Sequence, residues 1–425
     1  MACEVGRIES ACCYDRSADR NACNGGHPLS GVTRRLFGTL CGLVFFVNFG
    51  RVAFAPLVEP LQAAFGVGPA AIGTVTTLVW VGSAVPRLPA GYLLTRVPRE
   101  WVVVGTGALL TVAALATSAA NSLLTLRVGG FVIGLASGVY FVAAIPLVGE
   151  LMPGQRGRAV GIHGTASQLA AVLAPAAVVA LLVVDTWRAT FWLLAAAAGL
   201  STVALALLIR RRPESVPSPP AGEREFTAAL SHWRVILAGI AFVAGTGLVW
   251  QGLFNFYIPY LTEAKGLDSS TANSLLTLVF AAGVPAFWLS GRLADRLPHV
   301  PYLLGINAGF LVCLVALVFA DSLLAVTAVT AVIGLVIHGL FPAIDTYMLG
   351  TLPAADRTSA YAVFSGLALL LESTGSGIVG SLRGAGYAFD AVFTGAAVVL
   401  AVLVLGLTGL WVSGIVPTTT ASADN

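Results

Sequence analysis

In this chain of 425 residues, 57% of side chains are hydrophobic and only 10% are charged, against the roughly 25% charge of ordinary soluble domains. No soluble fold hides so much apolar surface. The net charge of +3 supplies no basic face for nucleic acid, because the arginines fall in short connections between apolar runs.

Residues 1–35 read as a disordered cytoplasmic tail. They carry Cys3, Cys12, Cys13 and Cys23 without a CxxC pair, and they lack the apolar core of a signal peptide. Neither a disulfide framework nor a metal site is expected there, and no cofactor is expected anywhere. Apolar stretches of about 20 residues, the length that crosses a bilayer, then begin near Leu36, Ala70, Trp101, Leu123, Arg158 and Ala189. A proline-rich charged linker covers 211–230. Six further stretches begin near Trp233, Ser270, Val300, Leu323, Thr358 and Ala388, and 415–425 form a second tail. The expected fold is all-α and integral to the membrane, with twelve transmembrane helices in two pseudo-symmetric six-helix bundles, 36–210 and 231–414.

Arg34, Arg35, Arg96, Arg99, Arg156, Arg158, Arg210, Arg211, Arg212, Arg224, Arg234, Arg292, Arg296 and Arg357 all fall on one side of that topology. Arg188, Lys265 and Arg383 fall on the other. Positive connections are retained in the cytoplasm, so both termini and the linker are expected there, in a multi-pass protein of the plasma membrane. Pro56, Pro86, Pro146, Pro175 and Pro342 lie within spans, where neighbouring helices re-satisfy the freed backbone groups.

At a fixed shift of 200, GYLLTRVPRE from Gly91 lies over GRLADRLPHV from Gly291. Pro153 lies over Pro353, Gly134 over Gly334 and Gly66 over Gly266, which points to duplicated halves with a site at their interface.

GRLADRLPHV resembles the G-x-L-x-D-R-x-G-R-R loop between helices 2 and 3 of major facilitator transporters, and the resemblance spans nearly everything after residue 35. ELMPGQRGRA and DTWRATFWLLAA resemble later connections of that family. The resemblance implies a cytoplasmic gate made of Gly91, Thr95, Arg96, Glu150, Gly291, Asp295 and Arg296, in which the loop's acid and arginine hold the facing half when that side is closed. An arginine fork there pairs with a nearby acid such as Glu150. Thr95 stands where the family has aspartate. The helix 5 G-P-x-x-G-G of family antiporters is absent from LAPAAVVALL, which argues against antiport efflux. Gly130 occupies the usual helix 4 arginine position, and Arg127 stands about one turn earlier.

Ionisable groups within a bilayer need a partner, a wet cavity or a route to the interface. Asn48, Arg51, Ala55 and Glu59 fall on one helical stripe of the first span. At the shift of 200, Gln251 and Asn255 match it in the seventh. Asn48, Arg51, Arg127, Gln251, Asn255 and His338 are the candidate substrate contacts. Arg51 leads, because a guanidinium holds carboxylate or phosphate by two bonds. An organic-anion branch of the family also carries arginine in a segment similar to VNFGRVAFAP. The alternative pairs Arg51 internally with Glu59 or Glu372. Glu59, Asp345 and Glu372 are the proton-coupling candidates, with a solvated face as the other reading of Asp345. His163, read as bonded to a carbonyl, and Arg87, read as snorkelling to the interface, are left outside the site.

These readings predict a secondary transporter and no enzyme. It would act by alternating access as a monomer in the lipid bilayer, with a small-molecule substrate and a coupling proton or other ion. The leading cargo is a small organic or inorganic anion, taken up or exchanged. The alternatives are efflux of an amphipathic compound and a transporter-like receptor without flux.

Overall fold

The computed structural model describes residues 31–152, 156–211, 231–353 and 357–418. The amino-terminal cysteines and most of the linker therefore lie outside the described residues. The first half holds α1 (Gly31–Val52), α2 (Val58–Phe65), α3 (Pro69–Ala84), α4 (Arg87–Arg96), α5 (Arg99–Ser118), α6 (Leu123–Leu151), α7 (Arg156–Val184) and α8 (Arg188–Arg210). The second holds α9 (Trp233–Asn255), α10 (Tyr257–Glu263), α11 (Ser269–Ala294), α12 (His299–Phe319), α13 (Leu323–Thr351), α14 (Arg357–Gly384) and α15 (Phe389–Val412).

Eleven of these helices are long and apolar enough to cross a membrane. The shorter α3 continues through Val85 and Pro86 into α4 and completes a twelfth span. The twelve spans return the chain to the face from which α1 started. Arg34, Arg35, Arg96, Arg99, Arg210, Arg211, Arg234, Arg292 and Arg296 sit at helix ends on that arginine-rich face. Val183, Leu200, Phe319, Leu324, Val399 and Leu405 project outward, as suits helices whose solvent is lipid.

The first span is broken. Pro56 has no N–H to donate and its ring crowds the carbonyl four residues back, so the chain between Val52 and Val58 tightens into i to i−3 bonds, Leu57 N–H to Phe54 at 3.2 Å among them. The seventh span breaks at Phe256, between α9 and α10.

The duplication is visible atom by atom. A Cβ on Gly134 would strike the carbonyl of Val79, and one on Gly334 the carbonyl of Val279, so α6 approaches α3 as α13 approaches α11. Ser122 caps α6 and Ser322 caps α13, each hydroxyl accepting a backbone N–H at 3.2 Å. Gly66 and Gly266 both take left-handed φ, at 62° and 65°, after α2 and α10. Close approach over small residues drives helix packing where lipid removes any hydrophobic preference between helices.

The halves meet through α3 against α14 and α7 against α11. Near the face opposite the arginine-rich one, a Cβ on Gly73 would lie 2.6 Å from the Ser376 carbonyl, and one on Gly384 would lie 3.0 Å from Ala70 Cβ. Thr262 of α10 also donates to Glu59 of α2 at 2.9 Å there. These contacts draw the two halves together toward that face.

Candidate functional site

Arg51 ends α1 just before the helix break and is 8% exposed. It donates to Asn48 Oδ1 at 2.5 Å and to Ser83 Oγ of α3 at 3.3 Å. Asn48 is itself fixed by donating to the Ser167 carbonyl of α7 at 2.8 Å. The guanidinium lies 4.8 Å from the Trp80 ring centre and 4.9 Å from that of Phe141, between an α3 and an α6 side chain. No described carboxylate lies within 4 Å of it, so the internal pairing with Glu59 or Glu372 is absent. Its Nε and the indole Nε1 of Trp80 are buried donors without an acceptor.

Trp80 meets Phe254 of α9 edge-on at 6.5 Å. From there rings continue through the second half: Phe254 stacks on Trp250 at 5.7 Å and meets Phe280 at 5.4 Å, and both Trp250 and Phe280 flank His338. His338 donates from Nδ1 to the Gly334 carbonyl at 2.8 Å, which leaves Nε2 as the acceptor nitrogen. The aromatic members of this wall escaped sequence reasoning, because Trp and Phe inside an apolar span look the same whether they face lipid or a cavity.

The second polar group lies nearer the arginine-rich face. Glu372 of α14 is buried and lies across Gly247 of α9, where a Cβ would meet its carboxyl carbon at 2.5 Å. Asp345 of α13 accepts from the Tyr361 hydroxyl at 2.5 Å. Arg87 of α4 stands at the end of the first half's α3–α4 break. Its buried Nε has no acceptor. Arg87 follows Pro86 at that break and is half-buried.

Other expected residues lie apart. Arg127 donates to Thr74 at 3.3 Å, and Thr74 precedes Ser83 by nine residues of α3, about 13 Å along the axis. Gln251 and Asn255 are buried between α9 and α14. Asn255 donates to the Gln251 carbonyl at 2.9 Å and to Ser376 Oγ at 2.8 Å, with its own Oδ1 left without a donor. Glu59 leaves the Arg51 stripe because the helix breaks between them. Glu150 forms its ion pair with Arg99 of α5. Gly91 and Thr95 belong to α4, but their side chains lie outside the described residues. Arg96 ends α4, exposed, and Gly291 of α11 has open space where a Cβ would stand. Asp295 and Arg296, just past α11, are exposed and make no ion pair among the described residues. His163 contacts the Tyr140 hydroxyl at 3.0 Å, so its partner is a hydroxyl and the expected carbonyl is corrected. Among the described residues, no three His, Cys, Asp or Glu side chains gather as a metal site would need.

The chain matches the profile of the Major Facilitator Superfamily at residues 40–365 and 240–424. It is 25% identical over 365 residues to a probable sulfoacetate transporter of Cupriavidus necator, covering 81% of this chain and 84% of that protein. A putative proline/betaine transporter of Staphylococcus aureus is 27% identical over 241 residues, but the chain spans only 50% of that relative's length. Two solved structures share the fold. One is a bacterial homologue of the human lysosomal transporter Spinster in an inward-facing, occupied conformation, with TM-score 0.70, 15% identity and coverage of 91% of this chain and 98% of that one. The other is a D-xylose-proton symporter, with TM-score 0.70, 16% identity and the same coverage. The chain therefore belongs to the Major Facilitator Superfamily and is a multi-pass membrane transporter.

Proposed function

We propose that this transporter carries a small organic anion by alternating access, taking it up or exchanging it across the plasma membrane, with the arginine-rich face in the cytoplasm. One observation carries the reading: Arg51 is buried without a carboxylate partner and, together with Trp80, keeps donors unfilled. Buried polar groups are ordinarily satisfied and buried charges ordinarily paired. An anionic ligand supplies the missing acceptor and countercharge. The relative named for sulfoacetate, itself an anion, supports the same class. Glu372 and Asp345 are the groups through which a coupling proton would be exchanged.

The aromatic wall from Trp80 to Phe280 favours a second reading, in which an amphipathic compound is expelled. A thermal-stability screen of wild type beside Arg51→Ala separates the two. Carboxylates, sulfonates, phosphate, sugars and lipophilic cations are the probes. Stabilisation by an anion, lost in the variant and followed by its flux into proteoliposomes, is expected. Stabilisation by cationic or neutral compounds alone, unchanged in the variant, sinks the anion reading, and anion binding without flux makes the protein a receptor.

A further inference from the structure

A cavity of about 530 Å³ lies between α11, α12 and α13, on the back of the second half and away from Arg51 and Trp80. Its walls are Leu289, Leu293 and Leu297, one stripe of α11 and the turn after it, with Pro301 and Ile306 of α12 and Leu335 of α13. The first and last residues of that stripe and Leu335 are exposed, so the cavity opens outward from the bundle as a groove. Its lining is mostly apolar. The Tyr302 hydroxyl donates to Ser290 at 2.8 Å, and Ser290 donates to the Gly339 carbonyl at 2.5 Å, so these polar atoms are occupied with one another. At Gly305, also on the wall, a Cβ would meet nothing within 4 Å. From Pro298 at the mouth to Ile306 the groove runs about 12 Å down the axis of α12.

The mouth is at the arginine-rich face. Arg292 and Arg296, each next to a leucine of the stripe, are exposed there with one carboxylate, Asp295, between them. Arg292 lies 3.7 Å from the centre of the Trp288 ring, which is itself 61% exposed, the pairing of cation and amphipathic ring found at headgroup depth. His299, beside Pro298, has a buried Nδ1 without a partner. An apolar slot below a basic rim, open to the outer surface of the bundle, matches a molecule with an acyl chain and an anionic head. It does not match a free anion, which has nothing to place among the leucines. We propose that this groove is a binding site for an anionic phospholipid, with one acyl chain between α11 and α12 and the phosphate at Arg292 and Arg296.

The test is the melting point of the purified full-length protein in neutral detergent, titrated with phosphatidylglycerol or phosphatidylcholine of the same chains. Wild type is compared with Gly305→Leu, which fills the slot, and with Arg292→Gln/Arg296→Gln, which neutralises the rim. Phosphatidylglycerol is expected to raise the wild-type melting point, phosphatidylcholine to raise it far less, and both variants to lose the difference. Equal stabilisation by the two lipids, or a phosphatidylglycerol effect undiminished in Gly305→Leu, overturns the proposal. If Gly305→Leu does not fold, native mass spectrometry of wild type and the double glutamine variant decides. Retained phosphatidylglycerol must fall in the variant, and an unchanged count overturns the proposal.

Discussion

The Thr262 hydroxyl donates a 2.9 Å hydrogen bond to the Glu59 carboxylate and so joins α10 of the second half to α2 of the first. The bond crosses between the halves at the face opposite the arginine-rich one, so opening that face is expected to break it. Thr262→Val is therefore expected to weaken that closure by about 1 kcal/mol, close to a fivefold change in the ratio of the two states. Distances between spin labels on α2 and α10 check it. An unchanged distribution would mean that the contact does not hold the faces together.

Gly73 sets a harder limit. A side chain there meets the Ser376 carbonyl and the Gly380 Cα, both backbone atoms that cannot swing away. Gly73→Val is expected to hold α3 and α14 apart, so that transport is lost while the protein still folds. A cysteine at Thr77, placed in a background without the native cysteines, should then react faster with an impermeant maleimide added from that side. Full transport by the valine variant would show that these helices need not touch.

Arg51→Lys keeps the charge but loses the fork and the planar group that lies close to both the Trp80 and Phe141 rings. Affinity for a stabilising anion is expected to fall about tenfold or more. Asn48→Ala removes the side chain that aims the guanidinium and should cost less, about 1 kcal/mol. Calorimetric titration ranks the two, and equal losses would make Asn48 a direct contact in its own right.

At the start of α11, Asp268 accepts from the Thr271 N–H at 2.9 Å and from its hydroxyl at 2.7 Å. These bonds hold its carboxyl below the ordinary carboxylate range. A depressed folded value means that the stabilisation is present above the unfolded value and is lost as pH falls through the folded one. Asp268→Ala is thus expected to lower the melting point at neutral pH and to converge on wild type in acid. A gap independent of pH would assign the effect to something other than ionisation.

The membrane spans were legible because they are written in one dimension: an apolar run of sufficient length needs no knowledge of its neighbours. The duplication was legible for the same reason: Gly134 and Gly334 keep both register and contact, and Gly66 and Gly266 keep register and left-handed φ. Asn48 and Arg51 were placed together correctly by helical spacing, since α1 is regular up to Val52. Spacing failed at Glu59, beyond the turn that Pro56 forces. The walls of the site were not legible at all. Which of eight tryptophans and 21 phenylalanines turns inward depends on the azimuth of each helix, and that is set by contacts such as Gly134 on Val79 rather than by local sequence.

Trp80 occupies a singular position among these rings. One side of its indole neighbours the Arg51 guanidinium, its edge meets Phe254 of the opposite half, and its N–H is unfilled. Its fluorescence therefore depends both on what neutralises the guanidinium and on how far apart the halves stand. With the other seven tryptophans replaced, its emission is expected to report occupancy and opening without any attached dye.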